Sequence, residues 1–420
     1  MSSNTPVLNP KIGEFFSGLL GRAQDLTASG GSSPGQSIKV IIAWIVGIGA
    51  IITLISWYVN YSGYFETKSN ITRISKEATQ AQVEYARLNQ KRKSLRDYLT
   101  RLQSAGVPAN QMCLTNFYIS TVNATGIFFP SYNGVASTEA ARAAVLAGAR
   151  GFVFDIWPDL TPGANFGPVI QVVEAGSAWR RISLNSLPLS SVLRAIVQEG
   201  LQTPLRPGSD DPYFFYLRFR GHTRAATFEA TAKVLSATLE QYRLDTSYNN
   251  CRAQDRFYTL PITNFFKKVV IFSNTRAAGT TLEDYINVGP RDGINVEVSM
   301  EDARALTYGM KADAVHKFKL NETWLAPQSE TSAAENNGYD WEAAHELGIH
   351  FCAMNFWNRN DRLKKYMDPN AFGTQSFLIK PASLRYVIET IPDPKQPFDP
   401  KWGSGATAGT MRDPPAIRLP

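Results

Sequence analysis

The stretch "GARGFVFDIWPDL", residues 148–160, reads as a helix end, a glycine turn and a buried strand. Phe152, Val153, Phe154 and Ile156 are apolar, yet Asp155 lies among them near the strand's end. An ionised carboxylate in such surroundings requires an ion pair, hydrogen-bond donors or a metal ion. Which of these Asp155 has decides what chemistry the chain can perform.

The same pattern continues on both sides. "NFYIST" (116–121), "YFFYLRF" (213–219), "KVVIFS" (268–273), "IHFCAMNF" (349–356) and "SFLIK" (376–380) read as strands. Helical stretches stand between them: "TEAARAAVLAG" (138–148), "LSSVLRAIVQEG" (189–200), "RAATFEATAKVLSATLEQY" (224–242) and "WEAAHELG" (341–348). This alternation across 110–392 predicts an α/β domain on parallel strands, best fitted by a (β/α)8 barrel.

The residues of this domain also resemble those of phosphoinositide-specific phospholipase C. That family's X region carries a passage running roughly Leu-x-x-Gly-x-Arg-x-x-Glu-Leu-Asp-x-Trp. It is matched here at Leu146, Gly148, Arg150, Asp155 and Trp157. "GIHFCAMNFW" is similar to a Y-region strand through Gly348, Met354, Asn355 and Phe356. "SFLIKPASLR" is similar to a second one through Leu378, Lys380, Pro381, Leu384 and Arg385. The resemblance covers 112–392 and implies a distorted (β/α)8, TIM-like barrel. It also implies cleavage of an inositol lipid's phosphodiester by two histidines and a calcium ion.

Position by position, the resemblance finds most of that chemistry replaced. Val122 stands where it places the first histidine, and Asn123 keeps the calcium-binding amide. Of the metal-binding Glu-x-Asp pair, Val153 replaces the first member and Asp155 keeps the second. Arg218 replaces a further acidic ligand, and Phe272 and Asn274 replace substrate-phosphate lysines. The second histidine aligns near Trp179, and no histidine occurs from 112 to 221. Calcium needs six to eight oxygen ligands, so Asn123 and Asp155 alone form a degraded site and no cofactor is expected. Without histidines the general acid and base are missing. An Asp155–Arg218 pair across the barrel mouth would satisfy the buried carboxylate.

Other residues carry competing readings. His222, in "FRGHT" just past a strand end, is the one histidine placed to rescue activity; the alternative is a surface loop residue. Arg180, Arg181 and Arg218 are candidate contacts for phosphate or another anion. "HELGIH" (345–350) is not a zinc motif: its five-residue step turns the two rings about 140° apart on a helix, against about 40° for His-Glu-x-x-His.

Ahead of the domain, no residue from Val40 to Phe65 is charged. Val40–Val59 supplies the roughly 20 apolar residues that span a bilayer, and Trp57, Tyr58, Tyr61 and Tyr64 crowd one end as an interfacial belt. The chain therefore divides into a flexible arm (1–37), a transmembrane helix (38–65), a basic helical stalk or coiled coil (66–106), the barrel (110–392) and a Pro-rich tail (393–420). The flanking charges favour a single-pass protein with its barrel on the cytoplasmic side. Ile71, Ile74, Ala78, Ala81, Tyr85, Leu88, Arg92, Leu95, Leu99 and Leu102 follow one another in steps of three and four. That is a heptad seam, read either as a self-associating coiled coil or as one helix packing its stripe on the next domain. From Glu66 to Leu102, nine Lys/Arg stand against four Asp/Glu, net +5 of the whole chain's +7. No stacking aromatics or recognised fold accompany this charge, so no nucleic acid is expected, and anionic lipid or an acidic protein fits better. The three cysteines, Cys113, Cys251 and Cys352, are too few and too scattered for a disulfide scaffold.

Together these features predict a membrane-anchored, catalytically inactive barrel serving as a structural or binding component, for instance in a large DNA virus particle. Its partners would be the bilayer and either a protein or a second copy bound through Ile71–Leu102. The rival reading is a phosphodiesterase using relocated groups such as His222 and Asp155. A third is a binder of lipid headgroups.

Overall fold

The structure is a computed structural model. It describes residues 92–128, 134–159, 167–173, 183–203, 206–221, 224–251, 259–290, 297–299, 326–328, 340–357 and 360–387, with isolated helical positions from 69 to 84. The stretches read from the sequence as an arm, a transmembrane helix and a tail lie outside the described residues. Among those described, no helix is long and apolar enough to cross a membrane.

The first half comprises α1 (Leu95–Ser104), β1 (Phe117–Val122), β2 (Ile127–Phe128), β3 (Val135–Ala136), α2 (Thr138–Leu146), β4 (Gly151–Pro158), β5 (Pro168–Ile170) and β6 (Leu187–Pro188). Next come α3 (Leu189–Ile196), β7 (Tyr213–Phe219), α4 (Ala225–Leu239) and β8 (Val269–Ser273). The last elements are β9 (Glu297–Ser299), β10 (Ala326–Gln328), α5 (Trp341–Glu346), β11 (Phe351–Met354), α6 (Asp361–Tyr366) and β12 (Phe377–Ile379).

Five parallel strands pair in the order β11–β1–β4–β7–β8, and β9 pairs with β10, also parallel. The result is a mixed α/β architecture: the expected parallel strands are there, but antiparallel ones join them. β12, the "SFLIK" strand, runs antiparallel to β1, with Phe117 opposite Ile379, as do the short β5 against β4 and β6 against β5.

The five parallel strands β11, β1, β4, β7 and β8 are buried on both faces and divide the core in two. Phe152, Phe154, Phe215 and Leu217 pack outward with Ala144 of α2 and Val192 of α3. Phe117, Ile119, Val153, Phe214, Tyr216 and Phe272 pack inward. Gly148 ends α2 at φ +91°, and a Cβ there would run into the Arg92 guanidinium, so both backbone and space demand glycine.

The stalk reading needs correction. The three-four spacing predicts one unbroken helix from Ile71 to Leu102, but residues 92–94 are not helical and α1 starts afresh at Leu95. A capping box makes the break: Asp97 N–H donates to Ser94 Oγ at 3.1 Å, and Ser94 N–H donates to Asp97 Oδ2 at 3.3 Å. Leu95, Leu99 and Leu102 then join the inward cluster beside Phe117 and Phe214, closing the N-terminal end of the strands. Arg92, the seam's one charged member, is buried and donates to the carbonyls of Ala147, Phe372 (3.1 Å) and Gln375 (3.3 Å). The last four seam positions thus belong to the folded domain, which begins at residue 92 rather than 110. A self-associating seam would keep only Ile71, Ile74, Ala78, Ala81, Tyr85 and Leu88, and these six lie outside the described residues.

Candidate functional site at the C-terminal edge of the parallel strands

β4 and β7 pair in register from Gly151↔Phe214 to Ile156↔Phe219, which sets Asp155 directly beside Arg218. Strand alternation turns both side chains to the same face as Val153 and Tyr216. Arg218 grips the carboxylate with a two-point fork, Nε to Oδ1 at 2.8 Å and Nη2 to Oδ2 at 2.9 Å. Its Nη2 also donates to Asn123 Oδ1 at 3.1 Å. Arg220, two residues further along, adds a third charged bond, Nε to Asp155 Oδ1 at 2.8 Å. The side chains of Arg218, Asp155 and Arg220 are 3%, 20% and 28% exposed, so the cluster is sealed beneath and open above.

Electrostatics follow from this packing. Burial raises the Asp155 carboxyl, but Arg218 and then Arg220 outweigh it and hold the group below the usual aspartate range. Asp155 is therefore a fixed anion whose charge two guanidiniums answer. Arg218 is its strand neighbour rather than a residue from across the mouth. Arg220 was not singled out from the sequence, although the i, i+2 spacing in "YLRFR" puts it on Arg218's face.

The other aligned positions fall as follows. Asn123 and Asp155 both meet the Arg218 guanidinium, so one cation holds the two groups that the resemblance assigns to calcium. Val153 and Phe272 lie in the inward apolar cluster, offering no ligand atoms. Val122 packs in the outer cluster, on the face of β1 away from the inward Ile119. The Asn274 side chain bridges the backbone of Phe219, accepting from its N–H at 2.9 Å and donating to its carbonyl at 3.1 Å, so it extends the sheet. Asn355 accepts from Trp357 N–H at 3.0 Å. His222, Arg180, Arg181 and Trp179 lie outside the described residues.

His345 and His350 sit at the other end of the strands and are not paired ligands. His345 stacks on Tyr118 with ring centroids 3.9 Å apart. His350 Nε2 lies 3.0 Å from Thr115 O and 2.9 Å from Lys380 Nζ. Burial first, then the Lys380 charge, lowers both imidazoles, His345 to about 3, so each is neutral, His350 in the core and His345 half-buried at its edge. Among the described residues, no group of three or more His, Cys, Asp and Glu is placed to hold a metal ion.

No protein-family model matches the chain, and no curated protein matches it. Solved structures do. PLC21 from S. officinalis aligns over 67% of this chain at 16% identity with a TM-score of 0.51. The fold is phospholipase C-like. PLC21 from L. pealei aligns over the same share at 15% identity and a TM-score of 0.48. A calcium-dependent phosphoinositol-specific phospholipase C from Pseudomonas sp aligns over 65% at 8% identity and a TM-score of 0.41. The chain spans 39% of the length of either PLC21 and 97% of the Pseudomonas enzyme. At these identities the likeness concerns the phospholipase C-like fold, and the chemistry has to be argued from the side chains.

Proposed function

We propose that the chain is a single-pass, membrane-anchored phospholipase C-like barrel that has no catalytic activity and serves as a structural or binding component. The observation that carries this is the Arg218 guanidinium bonded to both Asn123 and Asp155. It supplies from within the positive charge that a calcium ion would otherwise bring, and together with Arg220 it fills three of the carboxylate's roughly four lone-pair sites. Val122 and Val153, where the family resemblance calls for a histidine and a glutamate, supply neither a proton donor nor a ligand. The uncharged run Val40–Val59 supports the anchor, and the barrel on the cytoplasmic side follows from the basic flank after it. A membrane-bound component of a virus particle is one setting such a protein suits.

The test is hydrolysis by the full chain reconstituted in phosphatidylinositol-containing vesicles, with calcium and with chelator. No turnover above the protein-free rate is expected in either condition. Calcium-dependent turnover that disappears in His222→Ala would overturn the proposal in favour of a phosphodiesterase with relocated acid–base groups.

A further inference from the structure

We propose that the N-terminal end of the barrel, across which α1 lies, is the surface that rests on an anionic bilayer, so that the Asp155 mouth faces away from the membrane that holds the chain. This rests on the membrane-anchor reading above and adds to it which end of the domain meets lipid.

Three observations converge on that end. The first is the route of the chain: Phe65, where the uncharged run stops, precedes Leu95 by 30 residues, and the chain then enters the domain as α1 beneath the strands. Residues 66–94 carry seven Lys/Arg against three Asp/Glu. The second is charge. Lys93, Arg96, Arg101 and Lys267 are exposed on or beside α1, Arg96 at 66% and Lys267 at 64%, against Asp97, spent in the capping box, and Asp210. Asp210 alone answers both Arg96, at 3.6 Å, and Lys267, at 3.1 Å, so the surface keeps a net positive charge. The third is composition. Arg96 lies over the Phe266 ring at 5.0 Å and Arg101 over Tyr98 at 5.4 Å, an arginine–aromatic mixture suited to the headgroup level. Val387, 41% exposed, stands beside Tyr386, whose backbone Asn116 pins to this same end.

The mouth is the weaker competitor. Asp155 cancels one of Arg218 and Arg220, Arg218 is almost wholly enclosed, and the exposed Arg224 and Arg276 that follow β7 and β8 are set against Asp159 after β4 and Glu229 on α4. The two ends are separated by the length of β7, seven residues or about 23 Å. That is well beyond the roughly 8 Å over which charges act at physiological salt, so only one end at a time senses the leaflet's potential.

The experiment places a headgroup-quenchable fluorophore on the full chain in nanodiscs, at Gln103→Cys on α1 or at Ala226→Cys on α4. Cys251→Ser removes one native thiol, and Cys113 and Cys352 are buried. With phosphatidylserine present, spin-labelled lipid headgroups are expected to quench the Gln103 label at least threefold more than the Ala226 label. Quenching at Gln103 is expected to fall at least twofold in neutral discs, in 1 M salt, and in the triple variant Arg96→Gln, Arg101→Gln, Lys267→Gln. The salt arm uses the unaltered surface and so stands whatever the triple variant does to folding. Equal or stronger quenching at Ala226, or quenching at Gln103 indifferent to lipid charge and salt, would overturn the proposal. Extraction of the chain by alkaline carbonate would overturn the anchor itself. A chain that resists extraction yet shows an unquenched Gln103 label would overturn only the docking.

Discussion

At the N-terminal end of the barrel, Asp211 meets Arg150 at 3.0 Å, with side chains 2% and 5% exposed, and its other oxygen accepts from Leu95 N–H at 2.9 Å. At the C-terminal end, Asp155 meets Arg218 and Arg220, with its side chain 20% exposed. The chemistry is the same, an aspartate answered by guanidinium, but the surroundings differ. The first pair is enclosed and ties the start of α1 to the strands. The second sits at an opening and holds the residues that the family resemblance assigns to calcium. Positions shared with the family at the closed end, Gly148 and Arg150, hold the fold together. At the open end, Asp155 and Asn123 are held by an internal cation, Arg218.

If the closed pair is structural, breaking it should have the larger effect. Asp211→Ala leaves Arg150 buried without its anion and removes the acceptor for Leu95 N–H, so a loss of about 3–5 kcal/mol is expected. Chemical unfolding measures the loss, and hydrogen exchange should show α1 opening before β4 and β7. Unfolding that is uniform across all three would show that this pair does not hold α1.

The open pair should behave asymmetrically. Asp155→Asn leaves two guanidiniums facing each other, and a loss of about 3 kcal/mol is expected. Arg218→Met leaves Asp155 its Arg220 bond, so about 1–2 kcal/mol is expected. The double variant should recover much of the larger loss, and additive losses would contradict the contact. Acid sharpens the comparison. Because the folded carboxyl lies below its unfolded value, its contribution is complete above the unfolded value of about 4. It is lost as pH falls through the folded value. Asp155→Asn should flatten the acid limb of the stability curve by that amount.

A smaller effect is expected at Lys380, which burial lowers to about 7. Between about 7 and its unfolded value, the unfolded chain carries the proton and the folded chain does not, so stability should rise with pH. The slope is at most about 1.4 kcal/mol per unit. His350 is already neutral, but the Cys113 thiol, raised by burial to about 11, opposes the rise once the unfolded thiol ionises near 9, so the slope is read between about 7 and 8. Lys380→Met should remove the rise; a slope unchanged in Lys380→Met would assign it elsewhere.

Much of this was legible in the sequence. The apolar runs at 151–157 and 213–219 gave β4 and β7 nearly to the residue, and a buried aspartate with an arginine on a nearby strand gave the ion pair. Arg220 was legible too, through strand alternation. The break at residues 92–94 was written as Ser94-x-x-Asp97, but the three-four spacing of leucines runs through it unchanged. Local periodicity says that one helix face is apolar; it does not say whether a second helix or the underside of a sheet covers it. The antiparallel direction of β12 is likewise set by contacts between residues far apart in sequence, which no short pattern encodes.

The central claim is that Arg218 has taken the place of a metal ion between Asn123 and Asp155. Calorimetric titration of calcium into the full chain tests it most directly. The account predicts no binding tighter than millimolar, since Val153 and Arg218 stand where two anionic ligands would be needed. A micromolar dissociation constant would contradict it, because Asp155 would then have to leave Arg218 and Arg220 for the metal.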